Sequence, residues 1–153
     1  TFAMAPDEIV VFGLALNLTA GLGAFAFAYA DDRLGSKPTI LIAITGLFLA
    51  GLTALLATDK LVFWVTALAI GIFIGPAQAA SRTLMARLAP PELRTEMFGL
   101  YALTGKVTSF LGPFLFGTAT WWFGSQRAGM AVILVMLVLG GLLLTTVREP
   151  RRA

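Results

Sequence analysis

Five apolar runs separated by four short polar breaks set out this chain. The first run covers residues 9–29 and carries no charge. At about 1.5 Å per residue, a helix of that length crosses a hydrocarbon core of about 30 Å. Asp7 and Glu8 follow Pro6 just before it, as at a helix start. The polar break Ala30-Asp31-Asp32-Arg33-Leu34-Gly35-Ser36-Lys37-Pro38 reads as a tight turn. The second run, 38–57, has Pro38 at its start, where a missing N–H costs little. After Thr58-Asp59-Lys60 the third run extends over 61–88, with Trp64 at interfacial depth. Gly71 and Gly75 give it a GxxxG spacing, and Pro76 predicts a kink. Beyond the break 89–94, with its Pro90-Pro91 pair, the fourth run covers about 95–123. It carries Gly99, Gly105, Gly112, Pro113 and Gly117, and ends in Trp121-Trp122, two indoles suited to a membrane–water boundary. The break 124–127 leads to the last run, 128–147, and then to a basic tail. The pattern predicts an all-α integral membrane protein: one membrane domain over 1–153 with five transmembrane helices.

Composition agrees. Of the 153 residues, 58% are hydrophobic and 12% charged, about half the charged share of a soluble domain. Mean hydropathy is +0.89. The lipid bilayer is therefore the expected partner. The chain has no cysteine and no histidine. A thiolate metal site is excluded, and so are the commonest general base and metal ligand. No paired carboxylates face one another across the apolar runs, so an enzyme is not expected, nor is a metal or cofactor. The net charge of +3 is dispersed and forms no basic stripe, so nucleic acid is not expected as a partner. The start, TFAMAPDEIV, is acidic where a cleavable leader would be basic. It lacks Met, so the chain is expected to be a piece of a longer protein.

Charge placement predicts orientation. With five spans, the breaks at 30–38 and 82–94 and the tail share one side. That side holds Arg33, Lys37, Arg82, Arg87, Arg94, Arg148, Arg151 and Arg152; the other holds Lys60 and Arg127. Eight against two places the C-terminus in the cytoplasm by the positive-inside rule.

Polar content divides the spans. The first carries Asn17 and Thr19, the third Gln78, Ser81 and Arg82, and the fourth Tyr101, Thr104, Lys106, Thr108 and Ser109. The second and fifth carry only threonines within the membrane, whose hydroxyls can bond their own helix. Spans one, three and four are thus expected to line a polar path, and spans two and five to face lipid. Lys106 lies near mid-membrane, where a charge costs about 2.5 to more than 10 kcal/mol. Either it faces a pathway, or it snorkels or closes a structural pair. Gln78 and Arg82, four apart, share a helix face. They either bind an anionic group, such as a carboxylate, or Arg82 pairs with Glu96 and pins two helices together. The substrate-pathway candidates are Lys106, Gln78, Arg82, Tyr101, Thr104 and Asn17.

The break Asp31-Asp32-Arg33-Leu34-Gly35-Ser36-Lys37 resembles the D-R-x-G-[RK]-[RK] loop of the major facilitator superfamily. Asp32, Arg33, Gly35 and Lys37 match; Ala28 stands where that pattern has Gly, and Ser36 replaces the first basic residue. The stretch GPAQAASRTLMARLAPPELRTEMFGLYALTGKVTSFLGPFLFG is similar to the autophagy-related, vacuolar effluxer-like branch of that superfamily. Its bacterial members share the sequence around S-R-x-L, the F-G-L-Y run and the following G-K.

The resemblance implies a twelve-helix transporter of two six-helix halves, with these spans as helices eight to twelve, a partial C-terminal half. It implies that helices eight, ten and eleven line the cavity and that the Asp32–Arg33 loop is a cytoplasmic latch. The missing N-terminal half would be a partner, and the membrane would be the bacterial inner membrane. The expected function is part of a secondary transporter that moves a small solute by alternating access, with efflux of amino acids or related metabolites in view. The alternative is a non-transporting membrane receptor or scaffold of the same fold.

Overall fold

The computed structural model describes residues 6–148. The basic tail beyond Arg148 and the first five residues lie outside the described residues. Five long helices and one short turn follow in order: α1 (Pro6–Leu34), α2 (Ser36–Leu56), α3 (Lys60–Leu88), a 3₁₀ turn (Pro91–Leu93), α4 (Arg94–Phe123) and α5 (Gln126–Thr146). Four of them, α1, α2, α3 and α5, are long and apolar enough to cross a membrane. α4 is as long, but Thr, Ser, Gly and Lys106 dilute its aliphatic content.

The helices extend beyond the apolar runs. The break predicted as a turn over 30–38 is almost wholly helical: Asp31 to Leu34 close α1, and Ser36 and Lys37 open α2. Charged side chains stop a membrane span but do not stop a helix. Gly35 alone makes the joint, with φ 101°, a backbone state open to glycine and strained for other residues. Its carbonyl accepts the Thr39 hydroxyl at 2.8 Å and starts α2. α3 continues through Pro76. Gly124, with φ 60°, ends α4 in the left-handed conformation. Ser125 caps α5 by accepting the Arg127 N–H at 3.3 Å.

The chain forms two compact units, residues 1–80 and 81–153. In the first, α1, α2 and most of α3 pack through small residues. α2 buries one face through Ser36, Thr39, Ile40, Ala43, Ala50, Gly51 and Ala54, and leaves Ile42, Leu49 and Leu56 exposed. Gly46 of α2 gives room to the Phe73 ring, whose atoms lie 2.6 Å from where a Cβ would be. Phe73 also meets Phe27 edge-on at 5.9 Å. At the other end of this unit Glu8 and Lys60 form a salt bridge of 2.8 Å, so α1 and α3 start at the same end.

In the second unit α5 packs on α4 where Gly129 meets Phe116 and Thr120. Much of the remaining surface is bulky and apolar: Leu14, Leu18 and Phe25 on α1, Phe110, Trp121 and Trp122 on α4, Leu142 and Leu143 on α5. Water would not tolerate so much exposed apolar surface, whereas acyl chains or further helices would cover it.

Candidate functional site

The polar side chains singled out in the sequence fall in both units. In the first, Asn17 is exposed on α1, and its amide donates to the Gly13 carbonyl one turn back at 2.8 Å. Gln78 is exposed on α3. In the second, Arg82 is exposed near the end of α3. Beside it Ser81 makes the clearest polar link between helices: its hydroxyl and that of Tyr101 on α4 are 2.7 Å apart. The ring of Tyr101 also meets Phe98 at 6.4 Å. Half-buried and held at two points, the Tyr101 phenol has a fixed position against α3.

Thr104 donates to the Tyr101 carbonyl at 2.8 Å, so its hydroxyl is engaged by its own helix. Lys106 lies twelve residues after the start of α4, about 18 Å along the axis. Its side chain is exposed, and among the described residues no hydrogen bond or ion pair holds its ammonium. Arg82 and Glu96 form no salt bridge with each other; Glu96 stands exposed in the first turn of α4, where a carboxylate complements the helix dipole.

Hydroxyls alone do not separate the spans. Thr45 and Thr53 of α2 and Thr145 and Thr146 of α5 bond back to their own helices, as expected. Thr19 of α1 and Thr104, Thr108 and Ser109 of α4 do the same. A satisfied hydroxyl says little about what its helix faces. Arg82 and Lys106 are the charged side chains among the candidates.

Of the motif residues, Asp32 and Arg33 are exposed and Lys37 is half-buried. The Arg33 guanidinium sits 4.3 Å from the centre of the Tyr29 ring, a cation–π contact within the last turns of α1. Sequence reasoning did not pair Ser81 with Tyr101 or Glu8 with Lys60. The second pair was legible in part: opposite charges at two helix starts that alternation puts at one end.

The whole chain, residues 1–153, matches the family described as vacuole effluxer Atg22 like. It is 27% identical over 143 residues to a Bacillus subtilis protein named as an uncharacterised MFS-type transporter, YxiO, covering 94% of this chain and 33% of that protein. It is 28% identical over 152 residues to autophagy-related protein 22 of Cryptococcus neoformans, covering 89% of this chain and 28% of that protein. It is 29% identical over 135 residues to a D-xylose transporter of Levilactobacillus brevis, covering 85% of this chain and 29% of that protein. The chain thus spans about a third or less of the length of these relatives. No solved structure matches it. Its long apolar helices and its relatives make it an integral membrane protein. The chain belongs to the vacuole effluxer Atg22 like family.

Proposed function

We propose that this chain is part of a secondary transporter that carries a small solute across a membrane by alternating access. The observation that carries the reading is Lys106. An exposed ammonium sits in the middle of a 30-residue helix, in a chain whose relatives are named as transporters. An ionisable residue at that depth marks a pathway by default. The five helices act as helices eight to twelve of a twelve-helix major facilitator fold, a partial C-terminal half. α1, α3 and α4 line the path, where Gln78, Arg82 and Lys106 meet the solute, Tyr101 forms a wall, and Asn17 and Thr104 border it. α2 and α5 face lipid. The bulkiest exposed residues of both are aliphatic, Ile42, Leu49 and Leu56 on α2 and Val135, Leu139 and Leu143 on α5, as lipid contact requires, although α1 and α4 share this feature. Asp32, Arg33, Gly35 and Lys37 form a cytoplasmic latch. The membrane is the bacterial inner membrane, with the C-terminus in the cytoplasm, and the remainder of the transporter is the partner of this piece.

Two solute classes are in play. Amino acids and related metabolites fit the cationic and amide side chains, which suit a carboxylate. A pentose is favoured by the relative named as a D-xylose transporter. The test is flux of labelled amino acids and D-xylose in vesicles containing the complete gene product. Lys106→Ala should lower the flux of the carried solute by about tenfold or more, the scale expected when an essential polar contact is lost. An unchanged rate removes Lys106 from the mechanism. No flux of any solute by the unaltered protein favours the receptor or scaffold of the same fold.

A further inference from the structure

The Ser81–Tyr101 hydrogen bond fixes the rotational setting of α4 against the last two turns of α3. Ser81 lies seven residues before the end of α3, and Tyr101 seven after the start of α4. A short 3₁₀ turn joins those two ends, so the helices run antiparallel with the two hydroxyls meeting at 2.7 Å. An α-helix turns by about 100° per residue. Arg82, one residue beyond Ser81, is therefore turned about 100° from the direction of α4. Lys106, five residues beyond Tyr101, has turned through a full circle and about 140° more. Forward steps along antiparallel helices rotate in opposite senses when seen from one end, so both displacements lead to the same flank. Arg82 and Lys106 lie on it about 9 Å apart along the axes.

Gly105 borders Lys106 on this flank, and nothing lies within 4 Å of where its Cβ would be. The described acids of this unit, Glu92 and Glu96, are placed elsewhere. Glu96, five residues before Tyr101, is turned about 140° in the other sense, which accounts for the absence of a salt bridge with Arg82. Arg87, six residues beyond Ser81, falls on that far flank too. Glu92 belongs to the 3₁₀ turn, and α5 has no acid. Arg82 and Lys106 are both exposed, and among the described residues no hydrogen bond or ion pair engages either.

We propose that this flank binds a dicarboxylate, with one carboxylate on the Arg82 guanidinium and the other on the Lys106 ammonium. On the transport reading above, which this narrows, that dianion is the solute carried. Two cations with no acid beside them leave two positive charges to offset in surroundings of low dielectric. D-xylose offsets neither, and a neutral amino acid brings an ammonium together with its carboxylate. A dianion offsets both. The separation of the two cations suits charges at two ends of a molecule better than a compact dianion such as inorganic phosphate. The guanidinium fork takes a carboxylate through two parallel hydrogen bonds, and the ammonium takes the other as a point charge.

The test is binding of succinate to the complete protein in phosphatidylcholine nanodiscs, with butyrate as the one-ended comparison. Succinate should bind about tenfold or more tighter than butyrate, the scale of one added charge-assisted hydrogen bond. Arg82→Gln and Lys106→Gln should each abolish that preference, and Lys106→Arg should keep most of it. Arg87→Gln, which removes the same charge from the far flank, should leave it in place. Equal binding of the two acids, inorganic phosphate binding as tightly as succinate, or equal losses in Arg82→Gln and Arg87→Gln overturns the proposal. Stabilisation by phosphatidylglycerol through Arg82 and Lys106, with none by succinate, makes the flank a lipid site and overturns it as well. Should Lys106→Gln fail to fold, Arg82→Gln against Arg87→Gln gives the same decision. Flux of labelled succinate, amino acids and D-xylose in vesicles separates the two readings. Movement of another solute without a preference for succinate in binding overturns the dicarboxylate site alone. Selective succinate binding without flux of any solute overturns the transport reading alone.

Discussion

The Ser81–Tyr101 hydrogen bond is the residue-level feature with the most direct consequence. Two neutral hydroxyls 2.7 Å apart join two helices, and a bond of this kind contributes about 1 kcal/mol net. Ser81→Ala and Tyr101→Phe should each lower stability by roughly that amount, with the double variant losing little more than either single one, because both remove the same interaction. Denaturant unfolding in detergent checks it; fully additive losses would show that the two side chains act separately. Glu8→Gln is a contrasting case. Its partner Lys60 and the carboxylate are 43% and 39% exposed, so solvent screening limits the loss to about 0.5 kcal/mol. The Ser81–Tyr101 partnership was not legible in the sequence, and the Glu8–Lys60 pair only in part. Ser81 and Tyr101 are 20 residues apart and Glu8 and Lys60 are 52 apart; such separations do not reveal which helix faces will meet. Lys106 and Arg82 were legible, because a charge in an apolar run stands out wherever the helix packs.

At the scale of the helices, glycine divides into two kinds. Gly75 in α3 has the Ala20 carbonyl where a side chain would go, whereas Gly105 and Gly112 in α4 have nothing within 4 Å. Gly75→Ala should therefore destabilise by about 1–3 kcal/mol, since backbone must move. Gly105→Ala should stabilise the isolated chain by about 0.5–1 kcal/mol, because alanine favours an exposed helix interior. Melting of this chain and of the complete protein checks both. A reversed sign for Gly105→Ala in the complete protein alone would show that another segment seats against α4. The GxxxG spacing in α3 did mark a helix seam, but the more glycine-rich α4 makes no such use of its glycines among the described residues. Helix extents were readable except at charged ends. Hydropathy ends a span at the first charges, whereas α1 continues to Leu34 and yields only at Gly35.

For the molecule as a whole, the testable matter is orientation. The basic residues at 33, 37, 87 and 94 should lie on the cytoplasmic side and the short connections near Thr58 and Ser125 on the other. Single cysteines introduced at Lys37 and Ser125 in a cysteine-free complete protein should react with an impermeant thiol reagent from opposite sides of intact vesicles. Labelling of both from one side would remove the five-span arrangement.

A broader consequence follows from hydroxyls that turn back onto their own helices. Such groups have committed their only proton and offer a neighbour outside the helix nothing but an acceptor, so threonine at positions 45, 53, 108 and 118 is close to valine as a donor. A saturation mutagenesis screen should find those positions freely interchangeable among threonine, serine, valine and alanine. Evolutionary drift there would leave the donors that the chain offers untouched while changing its apparent polarity.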